Sequence, residues 1–238
     1  NVYSIAFPEY TEVFSDIRVR EALSYALDVE AITEIAYGSL GEVANSCIPA
    51  NLQYALDVGV QEYDPEYAKE LLAEAGYSDG DIELSLVIVG SDTNERMATA
   101  IQSYWQAVGV TLNIESCDLA TAISHFMASE TDVVIDQGSV VSLDPYEKLM
   151  MNLDNSTNAT IRITDPDFNA DLRAGVSTSD EAERQAAYEA AQQWIHDNYR
   201  VIPICEIQVG CVYRTSKIAA LNTLTDECTT LRYVTFTG

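Results

Sequence analysis

The fold is organised around the stretch DVVIDQGSVVSLDPY, which occupies residues 132–146. Its apolar first half predicts a buried β-strand, and Gly138 and Ser139 predict that this strand opens into a loop, which Asp144 and Pro145 then end. Ligands of open α/β sheets bind at the carboxyl ends of strands, so this loop is a candidate site. The same pattern also fits an ordinary core strand followed by a turn, and the rest of the chain decides between these interpretations.

Strands and helices alternate before this stretch. Strands are predicted over residues 82–89, 110–115 and 133–135, and helices over 92–108 and 119–128. Connections of this kind join parallel strands through a crossover helix. The pattern therefore predicts an α/β fold with a mixed, largely parallel sheet flanked by helices.

The first 65 residues contain one predicted strand and three predicted helix starts with recognisable caps. Residues 1–7 form an apolar strand candidate, Ser15 and Asp28 are predicted to cap two helices, and Asp64 before Pro65 is a third helix start. In the first of these helices, Arg18, Arg20 and Glu21 are predicted to point away from the core.

The last eighty residues are predicted to be helical first and then β-rich. Helices are expected to begin at Asp165 and at Ser179 or Asp180, the second ending at Pro203, and strands are expected within 202–213 and 231–236. Because repeats and low-complexity linkers are absent from the sequence, we expect a single domain over residues 1–238.

Composition excludes some classes of partner. The 238 residues are 47% hydrophobic and carry 12 Lys and Arg against 38 Asp and Glu, a formal net charge of -26. Such a chain repels nucleic acid. It contains no apolar run near the ~18 residues of a membrane span and no signal segment, which fits a cytoplasmic protein, a mature secreted protein or an excised part of a longer one.

Motifs for catalysis or metal binding are absent. The chain has no nucleophile elbow, no phosphate-binding glycine loop and no zinc-protease motif. Its five cysteines show no C-x-x-C spacing, and Cys205 and Cys211 would lie about 20 Å apart on one strand, too far for a bond between them. His125 and His196 are predicted to be surface or core-edge side chains. We therefore expect no cofactor, no metal and no catalytic residues.

Several blocks carry a family resemblance. The segment FSDIRVREALSYALD at residues 14–28 closely resembles a signature of the family 5 extracellular solute-binding proteins, which are the dipeptide, oligopeptide and nickel receptors of ABC importers. Further blocks agree in the same order, including YDPEYAK at 63–69, LLAEAGY at 71–77 and Asp144-Pro145. They span nearly the whole chain but resemble only the C-terminal lobe of such receptors.

The resemblance implies a fold, a function and a location. The fold is that of a type II periplasmic-binding-protein lobe, and a peptide or related small solute is held between this lobe and the receptor's own N-terminal lobe. A monomeric receptor of this kind delivers its solute to ABC permease subunits without chemical change. It works outside the cytoplasm, as a lipoprotein on the cell surface or in the periplasm.

The resemblance also implies the site residues. Dipeptide receptors carry a Trp near the position of Gly138, a carboxylate for the peptide ammonium at Val141 and an Arg in the loop before the helix at Met97, and this chain lacks all three. Arg96 is already inside the helix. Dipeptide specificity is therefore not carried over, although Asp136 is a candidate substitute for the missing anion. The predicted ligand-binding residues are Asp136, Gly138, Ser139, Val140, Val141, Ser142, Ser91, Asn94 and Leu119.

Two other functions stay open at this point. A cell-surface interaction or adhesion domain can reuse the same lobe without import, and genes for a permease and an ATPase beside this one would argue against it. A hydrolase would need a nucleophile and base pair that the sequence does not offer.

Overall fold

The structure is a computed structural model that describes residues 1–138, 144–153, 161–207, 214–221 and 234–236. Its strands are β1 (Val2–Ala6), β2 (Gly41–Val43), β3 (Ile82–Val89), β4 (Val110–Cys117), β5 (Val134–Gly138), β6 (Val201–Ile207), β7 (Ile218–Leu221) and β8 (Val234–Phe236). Its helices are α1 (Ile17–Tyr25), α2 (Val29–Tyr37), α3 (Pro65–Glu74), α4 (Asp92–Ala107), α5 (Leu119–Ala128), α6 (Pro145–Leu153), α7 (Pro166–Ser177) and α8 (Glu181–Asp197). No helix within these ranges is long and apolar enough to cross a membrane.

The largest sheet is antiparallel. Its four strands lie in the order β2, β6, β1, β5, and every neighbouring pair runs in opposite directions. In β1, Val2 is the partner of Gly138 on one side and of Glu206 on the other. The strand nearest the amino terminus therefore occupies a central position between two strands from the second half of the chain.

The predicted parallel arrangement holds for the segments that the alternation pattern covered. Strands β3 and β4 pair in parallel along their whole length, and Val133, just before β5, forms a parallel bridge with Leu86. The α/β class and the mixed sheet are confirmed, but "largely parallel" is wrong for the four-stranded sheet. The crossover pattern constrains only strands that follow one another through a helix, and β1, β2 and β6 are not connected in this way.

Two hydrophobic clusters lie on opposite faces of β1 and β5. The larger cluster includes Ile5 of β1 and is built mainly from α1 to α4 with β3 and β4. The second includes Ala6 and Val134 and is formed largely by α6, α7 and α8. Because successive strand residues point to opposite faces, neighbouring residues of β1 belong to different clusters.

Helix caps follow the predicted chemistry with two corrections. Helix α1 is capped by Asp16 rather than Ser15, because Ser15 belongs to a short 3-10 turn that comes before the helix. The spacing of Asp92 and Glu95 predicts a capping box at the start of α4, but the helix is capped by Ser91, so both residues already lie inside it and this box does not form. The hydrophobic pattern located both helices, but several neighbouring polar residues were each able to cap them.

Two further predictions are wrong for physical reasons. Arg20 is buried, because its guanidinium donates hydrogen bonds to the carbonyl oxygens of Phe14, at 2.6 Å, and Asn198, at 2.8 Å. Helix α8 ends at Asp197 and not at Pro203, which lies within β6. Pro203 has no amide hydrogen, and β6 accommodates it beside an irregularity in its pairing with β1.

Candidate ligand-binding site

Three strands end at the edge where two helices begin. Val89 of β3 and Cys117 of β4 are direct partners at the carboxyl ends of these strands, and Gly138 ends β5. Helix α4 follows β3 after the cap Ser91, and α5 follows β4 after the cap Asp118. Ligands of open α/β sheets bind at this kind of edge, so it is the candidate site.

Ser91 and Asn94 meet β5 through one continuous set of hydrogen bonds. The Asn94 backbone N–H donates to Ser91 Oγ at 3.2 Å, and Asn94 Nδ2 donates to the carbonyl oxygen of Val89 at 2.8 Å. The remaining atom, Asn94 Oδ1, accepts a hydrogen bond of 2.9 Å from Gln137 Nε2. Ser91 and Asn94, two predicted site residues, are thus joined, and Gln137, which is not among the predicted site residues, links them to β5.

Asp136 faces the other side of the sheet. Its Oδ2 lies 3.3 Å from Lys148 Nζ, and the side chains of Lys148 and Asp136 are only 3% and 12% exposed. Lys148 also donates a hydrogen bond of 3.3 Å to the carbonyl oxygen of Val2. Strand alternation puts Asp136 and Gln137 on opposite faces, so one of these two neighbours faces α6 and the other faces α4.

The buried ion pair affects a nearby thiol. Cys47 is buried, and this burial raises its pKa to about 11, although the ammonium of Lys148 acts in the opposite direction. Cys47, Cys117 and Cys205 are free thiols. Cys211 and Cys228 lie outside the described residues.

The other predicted site residues are only partly described. Leu119 is the first residue of α5, beside the carboxyl end of β4, and it is 61% exposed. Ser139, Val140, Val141 and Ser142 lie outside the described residues.

Asp144 is the first described residue after this loop, and its carboxylate contacts side chains of α8. Its Oδ1 accepts hydrogen bonds from the Tyr188 hydroxyl at 2.9 Å and from the Tyr146 backbone N–H at 3.0 Å, while Arg184 forms an ion pair with Oδ2. The guanidinium carbon of Arg184 lies 5.7 Å from the ring centres of both Tyr54 and Tyr188. Burial raises the pKa of Tyr188 to about 12 from its ordinary value of 10.0.

Arg96 and His125 each contact neighbouring acceptor groups of the protein. Arg96 donates hydrogen bonds to the carbonyl oxygens of Ile35, at 3.1 Å, and Ala36, at 2.8 Å, at the end of α2. His125 contacts the carboxylates of Glu115 and Glu130. No group of three or more His, Cys, Asp or Glu side chains among the described residues is placed to hold a metal ion.

The arrangement defines a class of protein, the α/β lobe of a type II periplasmic binding protein. HbpA2 from Haemophilus parasuis has the same fold, with a TM-score of 0.83 over 99% of this chain and 48% of its own, at 23% identity. A dipeptide-binding protein from Pseudoalteromonas sp. SM9913, solved in complex with Met-Leu, has a TM-score of 0.80 over 87% of this chain and 42% of its own, at 26% identity.

The chain belongs to the bacterial extracellular solute-binding proteins of family 5. Residues 1–160 match the family described as "Bacterial extracellular solute-binding proteins, family 5 Middle". Heme-binding protein A of Haemophilus influenzae is 33% identical over 86% of this chain and 39% of its own length. Di/tripeptide-binding protein 2 of Pseudomonas aeruginosa is 30% identical over 81% of this chain and 38% of its own length. The chain therefore spans about two fifths of the length of these relatives.

Proposed function

We propose that this chain is the C-terminal ligand-binding lobe, over residues 1–238, of a receptor that captures peptides for an ABC importer. The observation that carries the proposal is the amide-lined edge formed by Asn94 and Gln137 where β3, β4 and β5 end. Amide groups match a peptide backbone, because each presents both a donor and an acceptor. A protein that only holds its solute needs this complementarity and no reactive group.

The proposed receptor holds its solute between this lobe and an N-terminal lobe of the same protein. Solute pockets bury most of the surface of a ligand, and one open edge contacts only one side of it. Delivery to permease subunits, a monomeric state and a position outside the cytoplasm, as a lipoprotein or a periplasmic protein, belong to the same proposal. The family consists of solute-binding proteins, which supports binding without catalysis.

Peptides are favoured over other solutes, although the relatives differ in what their names state. Among them are di/tripeptide-binding, oligopeptide-binding, glutathione-binding and heme-binding proteins. Among the described residues of this edge, the side-chain amides of Asn94 and Gln137 are placed for hydrogen bonding, and the Cys117 thiol is directed at the carbonyl oxygen of Ile88. We therefore propose a peptide as the solute, held mainly through its backbone.

The charge pattern argues for longer peptides over free dipeptides. Val141 stands where dipeptide receptors place a carboxylate, and Asp136, the candidate substitute, is engaged by Lys148. A buried ammonium without an anionic partner costs several kcal/mol, which corresponds to about two or more decades in affinity.

Calorimetric titration of the complete protein that contains this chain tests the function. Free dipeptides, N-acetylated dipeptides, tetrapeptides to hexapeptides and hemin form the panel, and Val141→Asp is titrated beside the unmodified protein. We expect the longer peptides to bind most tightly and Val141→Asp to gain affinity for free dipeptides. Tight binding of free dipeptides that N-acetylation abolishes would show that the ammonium has another anchor, and binding of hemin alone would refute the peptide proposal.

A second titration tests the assignment as one lobe. The 238-residue chain should fold by itself, because its two hydrophobic clusters are formed within it, yet it should bind the best peptide far more weakly than the complete protein. Equal affinity of the two proteins would contradict a site shared between two lobes.

A further inference from the structure

The orientation of the Gln137 amide is fixed by the protein backbone. The Val89 carbonyl oxygen is only an acceptor, so the atom of Asn94 that contacts it at 2.8 Å must be the donor Nδ2. This leaves Asn94 Oδ1, an acceptor, directed at Gln137. Gln137 must therefore direct Nε2 at Asn94, and its own Oε1 points away from this contact.

The protein fixes the side-chain amide of Asn94 more firmly than that of Gln137. Asn94 is only 8% exposed and is held at its backbone as well, through the hydrogen bond to Ser91 Oγ. A flip of its side chain would set Oδ1 against the Val89 carbonyl oxygen and Nδ2 against Gln137 Nε2, which removes two hydrogen bonds. Gln137 is an exposed residue of β5 directly before Gly138, and the described residues supply no partner for its Oε1.

An aromatic pair lies beside this acceptor. Tyr3 is the direct partner of Gln137 across β1 and β5, so the two side chains share one face of the sheet. The ring of Tyr3 packs against that of Tyr37, with centres 5.2 Å apart. The edge thus presents a hydrogen-bond acceptor next to a half-buried aromatic surface.

We propose that Gln137 is a specificity-determining residue whose Oε1 accepts a hydrogen bond from a backbone N–H of the bound peptide, with Asn94 as its positioning residue. This inference rests on the proposed peptide function and adds a direction to it. The site selects ligands that donate at this position. An ester oxygen there, which only accepts, meets Oε1 and is rejected.

Tetra-alanine and its ester analogues provide the probe. In each analogue one backbone N–H is replaced by oxygen. All of these ligands are titrated calorimetrically into three versions of the complete protein: the unmodified form, the Gln137→Met variant and the Asn94→Ala variant. Gln102→Met is the matched control, because Gln102 is also on the site side of the sheet in α4 but donates to the carbonyl oxygen of Leu112, away from the strand ends. Urea unfolding of each variant shows that it is folded.

One ester analogue should bind about 2- to 12-fold more weakly than tetra-alanine, the effect of one net hydrogen bond. Gln137→Met should abolish this discrimination, Asn94→Ala should reduce it, and Gln102→Met should leave it unchanged.

The outcomes separate this inference from the proposed function. If tetra-alanine binds and Gln137→Met lowers the affinity for all ligands equally, or for none, Gln137 does not accept a hydrogen bond from the peptide N–H. That result overturns only this inference. Absence of tetra-alanine binding also overturns the inference. Failure of every peptide in the wider panel overturns the proposed function with it.

Discussion

Replacing Asp144 with Ala should destabilise the fold more than an ordinary lost helix cap does. Asp144 directly precedes α6 and accepts a hydrogen bond from the Tyr146 N–H of its first turn, and it also accepts a hydrogen bond from Tyr188 and forms an ion pair with Arg184. Loss of a cap costs typically about 1 kcal/mol. The half-buried ion pair and the Tyr188 hydrogen bond add about 1 kcal/mol each, so Asp144→Ala should lower the free energy of unfolding by about 3 kcal/mol.

Asp165 provides a matched control. It also precedes a proline at a helix start, and its carboxylate accepts hydrogen bonds from the backbone N–H groups of Asp167 and Phe168, but none of its described contacts is with a cation. Asp165→Ala should therefore cost only about 1 kcal/mol. Urea unfolding followed by tryptophan fluorescence measures both variants. Equal losses would refute the reasoning that α8 stabilises the start of α6 through Asp144.

Three further predictions concern pH, packing and salt. Burial raises the pKa of Cys47 to about 11 and that of Cys205 to about 12 from an ordinary value of 9.0, so the folded state keeps protons that the unfolded state releases. These thiols should therefore leave the free energy of unfolding unaffected below pH 9 and lower it above pH 9, by up to about 1.4 kcal/mol per pH unit for each thiol. Urea unfolding between pH 7 and pH 11 should show a smaller fall for the double variant Cys47→Ala/Cys205→Ala than for the unmodified chain. Gly175→Ala should lower the free energy of unfolding, because a Cβ atom there would lie 2.6 Å from the Tyr188 ring. The overpacking costs about 1–3 kcal/mol, which exceeds the ~0.5–1 kcal/mol gained by replacing a helical glycine. A rise in melting temperature would contradict this. The net charge of -26 should make the melting temperature rise with sodium chloride up to about 0.1 M, where the Debye length is ~10 Å, and calorimetry that shows no rise would argue against charge repulsion in the folded state.

The sequence predicted those parts of the fold that local patterns determine. The strands β3 and β4, the helices α4 and α5 between the predicted strands, and the caps Asp28, Asp64 and Asp165 follow from hydrophobic period and backbone chemistry. The antiparallel pairing of β1 with β5 and β6 was not predictable in this way. It depends on which distant strands complement each other, and the period of one strand carries no such information.

The site shows the same division between local and distant information. The edge itself and the residues Ser91 and Asn94 were predicted, and the structure brings both to the end of β5. Gln137 lies within residues 132–146 but was not among the predicted site residues, although strand alternation places it on the face opposite Asp136. No sequence pattern predicted the buried ion pair of Lys148, because its burial depends on the packing of α6 against the sheet. The roles of all these residues in binding stay predictions.

The central position of β1 has a consequence for the time course of folding. During synthesis β1 emerges well before its partners, since Val2 pairs with Gly138 and Glu206. At roughly 5–20 residues per second, about 10–40 s pass before β6 is available. Until then β1 exposes unpaired backbone groups on at least one edge, and its contacts are among the slowest to form because they join distant parts of the chain. The nascent chain therefore cannot complete this sheet until β6 has been made, and during this interval β1 is an incompletely paired strand that a chaperone can protect.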